Sequence, residues 1–189
     1  MAGSETSGGS AARIPAAAAA IVDLLNSRPH ATPLLPDTLD DPETAGAILH
    51  PFGQPEGVPP APRRLDEIRA LRSDLMAIIA EPNTERGWAD LTEHISEVTV
   101  RHAFSAPGQV RLRPASGDPV AGGITLAVAE LIAAGSWSRI RACANDLCRH
   151  VFYDTTRSRT QRWDSYETCG NRSNVAAYRA RKNAAHSAD

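Results

Sequence analysis

The sequence predicts an α+β protein: a mainly helical N-terminal domain with a small hairpin, followed by a small module made of a β-hairpin and a C-terminal helix. Three observations predict it. Apolar residues step by three and four through Leu65, Ile68, Leu71, Leu75, Ile78 and Ile79, and again through Trp88, Leu91, Ile95 and Val98, as helices with one buried face require. Short alternating runs flank turn residues at Pro107-Gly108 and around residues 139–153. All three cysteines fall in the last fifty residues, inside a stretch rich in arginine. At 189 residues the chain has room for one ordinary domain and a small module.

Residues 1–11 are mostly Gly, Ser, Ala and Thr and read as a disordered tail; residues 184–189 read as a second one. From Ala12, Ile21, Leu24 and Leu25 lie at helical spacing, and this first helix should end near Ser27, before Pro29. The segment IPAAAAAIV within it is weakly apolar, follows Glu5 and is cut short by Asp23, so it does not read as a secretion leader. No run approaches the roughly 18 apolar residues that span a bilayer, so no membrane partner and a cytoplasmic location are expected.

Residues 29–62 hold nine of the fourteen prolines. A short helix fits there only at PETAGAILH, with Asp41 as N-cap and Pro42 at the first helical position. Past Pro62, RRLDEIRALRSDLMAIIA should form an amphipathic helix that Pro82 ends, and a second should run from Thr84 to about Val98. AFSAPGQVRLRP reads as a hairpin in which Val110 and Leu112 alternate with Arg111 and Arg113. VAGGITLAVAELIAAG is nearly continuous in apolar character and marks a buried helix stopped by Gly135. These elements place the first domain at residues 12–138. GDPVAGG lacks the lysine and spacing of a phosphate-binding loop, and His30, His50, His94 and His102 are scattered, so no enzyme is expected.

The overall charge of −2 conceals an asymmetry: residues 139–182 hold ten basic residues against four acidic ones. Lys182 is the only lysine of the chain, and arginine suits planar contact with phosphate and guanine. An odd number of cysteines argues against a disulfide framework and for a reducing compartment. In CANDLC, Cys143 and Cys148 bracket four residues as metal ligands on a knuckle would, with Arg139–Cys143 and Val151-Phe152-Tyr153 as the flanking strands. A segment too small for a core would gain stability from such a metal, one structural zinc being the candidate, and buried free cysteines are the alternative that the spacing alone leaves open. Downstream there is only Cys169, and where a second C-x4-C pair would place a cysteine the chain has Asp164. Three readings follow: Asp164 completes the zinc site, His150 or a water does, or no metal is held and packing around Trp163 and Phe152 stabilises the module. Glu167 is the only neighbouring group that could serve as a base for metal-activated water.

Through C-A-N-D-L-C, F-Y-D-T-T-R, R-W, C-G-N-R and the trailing Y-R-A-R, about 40 residues, the segment closely resembles the CGNR zinc-finger family, C-terminal DNA-binding modules of bacterial proteins regarded as stress-induced transcription regulators. In that family a cysteine stands where this chain has Asp164. The resemblance implies a finger over residues 139–183 with Cys143, Cys148, Asp164 and Cys169 on the metal. IVDLLNSR and VAELIAAGSWSRIRACA resemble, more loosely, the ABATE domain usually fused to this finger, which implies a sensor of a signal or small-molecule ligand, with dimerisation expected. The implied function is a DNA-binding transcriptional regulator; an RNA- or protein-binding zinc module is the alternative. The chemistry agrees with a DNA partner. Asn171 can cap a helix over residues 172–182 anchored by Val175 and Tyr178, which presents Arg172, Asn174, Arg179, Arg181 and Lys182, while Arg157, Arg159 and Arg162 in the connector suit backbone contact.

Overall fold

The computed structural model describes residues 13–172, 174, 175 and 179. Helix α1, Ala16–Asn26, buries Ala18, Ala20, Ile21, Leu24 and Leu25 along one face. After a proline-rich stretch, α2, Pro42–Leu49, starts as its sequence dictates: the Asp41 carboxylate accepts from the Thr44 N–H at 2.8 Å and Pro42 opens the first turn. Helix α3, Pro62–Ala80, contributes Ile68, Leu71, Leu75 and Ile78 to the same core. Arg72 is buried on this face because its guanidinium has partners there: it donates to Ser27 Oγ at 2.6 Å and forms an ion pair with Asp37. The N–H of Leu39 and the Arg72 and Arg69 guanidiniums hold the Asp37 carboxyl below its ordinary range against the opposing effect of burial.

Helix α4, Glu85–His94, is shorter than expected. The N–H of Val98 bonds the carbonyl of Ile95 at 2.8 Å, closing a turn that leads directly into a strand. Ile95 and Val98 still pack against the core with Trp88 and Leu91, so the apolar pattern was right about burial and wrong about where the helix stops. The hairpin is correspondingly longer: β1, Thr99–Ala106, pairs antiparallel with β2, Gln109–Ser116, and Gly108 in the connecting turn has a left-handed φ of 74°. Asp118 caps α5, Pro119–Ala133, accepting from the N–H groups of Val120 and Ala121. A side chain at Gly123 would place its Cβ 2.1 Å from the Phe52 carbonyl oxygen, so glycine is what lets α5 lie against this backbone. Gly135, at φ 63°, follows the end of the helix as expected.

Strands β3, Ile140–Ala142, and β4, Val151–Tyr153, form a second two-stranded antiparallel sheet. Its two faces serve different cores. Ile140, Val151 and Tyr153 join the helical core, whereas Phe152 packs with Cys143 and Cys169, flanked by Cys148 and Trp163. Tyr153 thus belongs to the main core, not to the small cluster around the cysteines. Among the described residues no helix is long and apolar enough to cross a membrane.

Candidate metal centre

The knuckle is built by Asn145. Its side-chain oxygen accepts from the Leu147 N–H at 3.1 Å, and its carbonyl accepts from Cys148 at 2.8 Å and Arg149 at 3.0 Å. The chain leaves the turn through Arg149 at a left-handed φ of 54°, and the Cys143 N–H closes the ring on the His150 carbonyl at 2.8 Å. Both thiols of CANDLC then lie on one side of the sheet.

The connector returns to this point because of Asp154, which is fully buried. Its carboxylate accepts from the N–H and hydroxyl of Thr156 and from the N–H of Gln161, with the Arg141 guanidinium 3.6 Å away. Together the hydrogen bonds and Arg141 outweigh burial and hold the Asp154 carboxyl below its ordinary range. The Ala144 N–H ties the connector to the knuckle through the Arg162 carbonyl at 2.8 Å, which delivers Asp164 to the cysteines.

Cys169 arrives on a π-type helical turn, Tyr166–Gly170, whose N-cap is Ser165: its hydroxyl accepts from Thr168 and its carbonyl from the N–H groups of Cys169 and Gly170. The expectation that Asn171 caps a helix beginning at Arg172 is therefore corrected, since Asn171 has helical φ and ψ and continues the run. The physical reason lies in Gly170. A Cβ there would sit 2.7 Å from the Tyr166 ring, so the glycine serves close packing inside the turn instead of breaking the chain. Tyr166 in turn meets Trp163 edge to face at 5.9 Å between ring centroids.

These elements bring one ligand atom each from Cys143, Cys148, Asp164 and Cys169 within 4.8 Å of one another. Cys143 and Cys169 are buried, Cys148 and Asp164 half-buried. The Cys148 thiol lies 3.6 Å from Asp164 Oδ2, while Asp164 Oδ1 is buried with no hydrogen-bond partner. A buried carboxylate oxygen without a donor is costly and is what a cation would satisfy. Burial pushes the Cys143 thiol up to about 12 and raises that of Cys148. Burial also opposes ionisation of Asp164, but the Cys143 and Cys169 thiols and the Ser165 N–H outweigh it, so its carboxyl lies below the ordinary range. Three sulfur donors and one oxygen around a common point form a closed four-ligand set of the kind zinc takes in structural sites.

His150 is not part of this set. Its Nε2 contacts the Asn26 side-chain amide at 3.1 Å and its Nδ1 lies 3.4 Å from His30 Nε2, so both ring nitrogens are turned to α1 and the segment after it. Of the residues expected to meet nucleic acid, Arg157, Arg159, Arg162, Asn171, Arg172, Asn174 and Arg179 are exposed. The Arg162 guanidinium lies 5.2 Å from the centroid of the Trp163 ring, Asn171 Nδ2 donates to the Glu167 carbonyl, and Asn174 Nδ2 donates to the Tyr166 hydroxyl. Val175, one member of the expected apolar stripe, is 49% exposed. Arg181, Lys182 and Tyr178 lie outside the described residues, as do both expected tails.

Sequence reasoning missed the residues that mount the knuckle on the helices. The Asn26 side chain accepts from the Val151 N–H and donates to its carbonyl, both at 2.8 Å, as a strand neighbour would, and Arg28 donates to the Arg149 carbonyl. No local signal marks Asn26, because its partner is 125 residues away. Ser165 as an N-cap was visible in principle.

The site defines a thiolate–carboxylate metal knuckle. Residues 139–182 match the family model described as the CGNR zinc finger, and with four ligands able to hold one ion this makes zinc the cofactor. No curated protein matches the chain.

Asp164→Cys replaces a hard oxygen donor by a thiolate, which zinc prefers. Competition with a zinc-binding dye is expected to show tighter binding, on the order of tenfold or more, with an unchanged circular-dichroism spectrum. Equal or weaker affinity would count against Asp164 as a ligand.

Proposed function

We propose that the protein is a DNA-binding transcription regulator. In this reading one structural zinc, held by Cys143, Cys148, Asp164 and Cys169, fixes a finger that contacts DNA, and residues 12–138, ABATE-like, sense a signal or dimerise. The observation that carries it is the charge around the finger: Arg157, Arg159, Arg162, Arg172 and Arg179 are exposed, and no ion pair among the described residues neutralises them. Unpaired guanidiniums beside a zinc-stapled turn suit the phosphates of a duplex. Four protein ligands would close the coordination sphere and leave no open position for substrate, which suits a structural metal in a non-enzymatic regulator. The proposed place of action is the cytoplasm.

The test is equilibrium binding of the full-length, zinc-loaded protein to duplex DNA across a salt series. Affinity should fall steeply with salt, and Arg157→Gln with Arg159→Gln should reduce the log–log slope by about 0.9 for each phosphate that is no longer neutralised. If the double variant binds like the wild type, the finger does not touch the duplex. Stronger competition by structured RNA than by duplex DNA would move the reading to RNA.

A further inference from the structure

The β1–β2 ribbon is a charged object that the finger does not explain. Antiparallel pairing sets Arg101 opposite Arg113 and Ala103 opposite Arg111, so the three guanidiniums share one face. All three are exposed, and no ion pair or side-chain hydrogen bond among the described residues engages them. Thr99–Ser116 contains no acidic residue, whereas the chain outside the ribbon and outside residues 139–182 carries eighteen acidic residues against seven basic ones. Like charges directly opposite one another destabilise a strand pair, so this face is unfavourable for the isolated fold.

The opposite face carries Val100, His102, Phe104, Val110, Leu112 and Pro114. At its root Pro114 packs against α5, where a Cβ on Gly122 would come within 2.8 Å of the proline ring. Beyond that root both faces of the ribbon are exposed, Val100, Phe104, Val110 and Leu112 included, so the arginine face is open to solvent. A two-stranded ribbon is narrow enough to enter the major groove of a duplex, and eight-residue strands extend about 26 Å.

We infer that the β1–β2 ribbon is a second nucleic-acid contact, with Arg101, Arg111 and Arg113 facing the phosphates of a DNA duplex. The occupant is chosen on charge complementarity: a polyanion removes the repulsion that the ribbon's own neighbours leave in place. The inference rests on the DNA-binding reading above but uses different residues, so the two can fail separately.

The experiment measures binding of the full-length, zinc-loaded protein to a 30-base-pair duplex between about 50 and 300 mM salt, for wild type, Arg101→Gln/Arg111→Gln/Arg113→Gln, and the corresponding triple lysine variant. The glutamine triple should lose up to about 2.7 from the log–log slope and bind on the order of tenfold or more weakly at low salt. Lysine should retain most of the slope. Thermal melts of both triples should match or exceed that of the wild type, because a like-charge pair is removed or kept and no attractive interaction is broken. Wild-type slope and affinity in the glutamine triple would overturn the inference while leaving the finger reading intact, provided Arg157→Gln/Arg159→Gln still weakens binding. Loss of binding in the ribbon triple with none in the finger pair would keep the ribbon and remove the finger. A wild type that binds no duplex overturns both. A glutamine triple that changes self-association by sedimentation, with duplex binding unaffected, would assign the face to a second copy of this chain and overturn the nucleic-acid occupant.

Discussion

Stripping zinc from the full-length protein with a strong chelator is expected to release one ion per chain and to unfold the knuckle and residues 155–172, while β3 and β4, whose Ile140, Val151 and Tyr153 are seated in the helical core, stay folded with α1 to α5. Among the described residues the small cluster offers Phe152, Trp163 and the cysteines themselves as apolar packing, with Tyr166 at its edge, too little to hold two turns together. Structural zinc contributes apparent binding free energies of about 10–16 kcal/mol in isolated finger peptides, so the order of the knuckle, the connector and the Tyr166–Gly170 turn should depend on it. Cys169→Ser should reproduce the effect, because it removes the ligand that fastens the Tyr166–Gly170 turn to the knuckle. Metal analysis, Trp163 fluorescence and hydrogen exchange at the Cys143 and Ala144 amides would follow it. Less than half an equivalent of zinc, with these amides equally protected in chelator, would refute the metal-dependent fold. The pH dependence has a definite sign. Burial raises the Cys143 and Cys148 thiols in the metal-free fold, so binding must displace their protons, and zinc affinity should increase as pH rises through the neutral range and fall as it is lowered.

The second large effect concerns the boundary after Ser138. A chain ending there should fail to show a cooperative melt, although it keeps every helix of the N-terminal half. Ile140, Val151 and Tyr153 are buried in the helical core, and each full burial contributes about 1.5–3 kcal/mol. Losing all three, together with the Asn26 bridge to Val151, removes a large part of the roughly 5–15 kcal/mol that stabilises a typical domain. Calorimetry should accordingly give the zinc-loaded full-length protein one main transition. A fragment of residues 12–138 that melts cooperatively near the full-length temperature would show that the two parts are independent.

What could be read from the sequence was what local chemistry decides. Asp41 and Pro42 opened α2 as their types require, Gly135 followed the end of α5, and the spacing of Cys143 and Cys148 pointed to a knuckle. Asp164 was legible as the odd member of a ligand set, and the structure places its carboxylate among the thiols. Where two local signals competed, the reading failed. Gly170-Asn171 looks like a helix boundary, but Gly170 is needed under the Tyr166 ring, and Ser165 takes the cap. Val98 fits a helical stripe and also begins an extended run, and the turn at Ile95 decided in favour of the strand. The double face of β3–β4 was hidden for another reason: three-residue strands are too short for a pattern to show that alternate residues enter different cores.

The Asn26 bridge gives the finger a fixed bearing. Its side chain occupies both backbone groups of Val151, a residue whose own side chain is sealed in the helical core, so the knuckle has no swivel between itself and α1. A tethered reading head must surrender orientational freedom each time it lands, whereas a head bolted to its carrier has surrendered it on folding. For the proposed regulator this turns geometry into grammar: if two copies associate, the separation and relative angle of their fingers are set by the body of the protein, and the half-sites they accept must keep a constant spacing along the duplex.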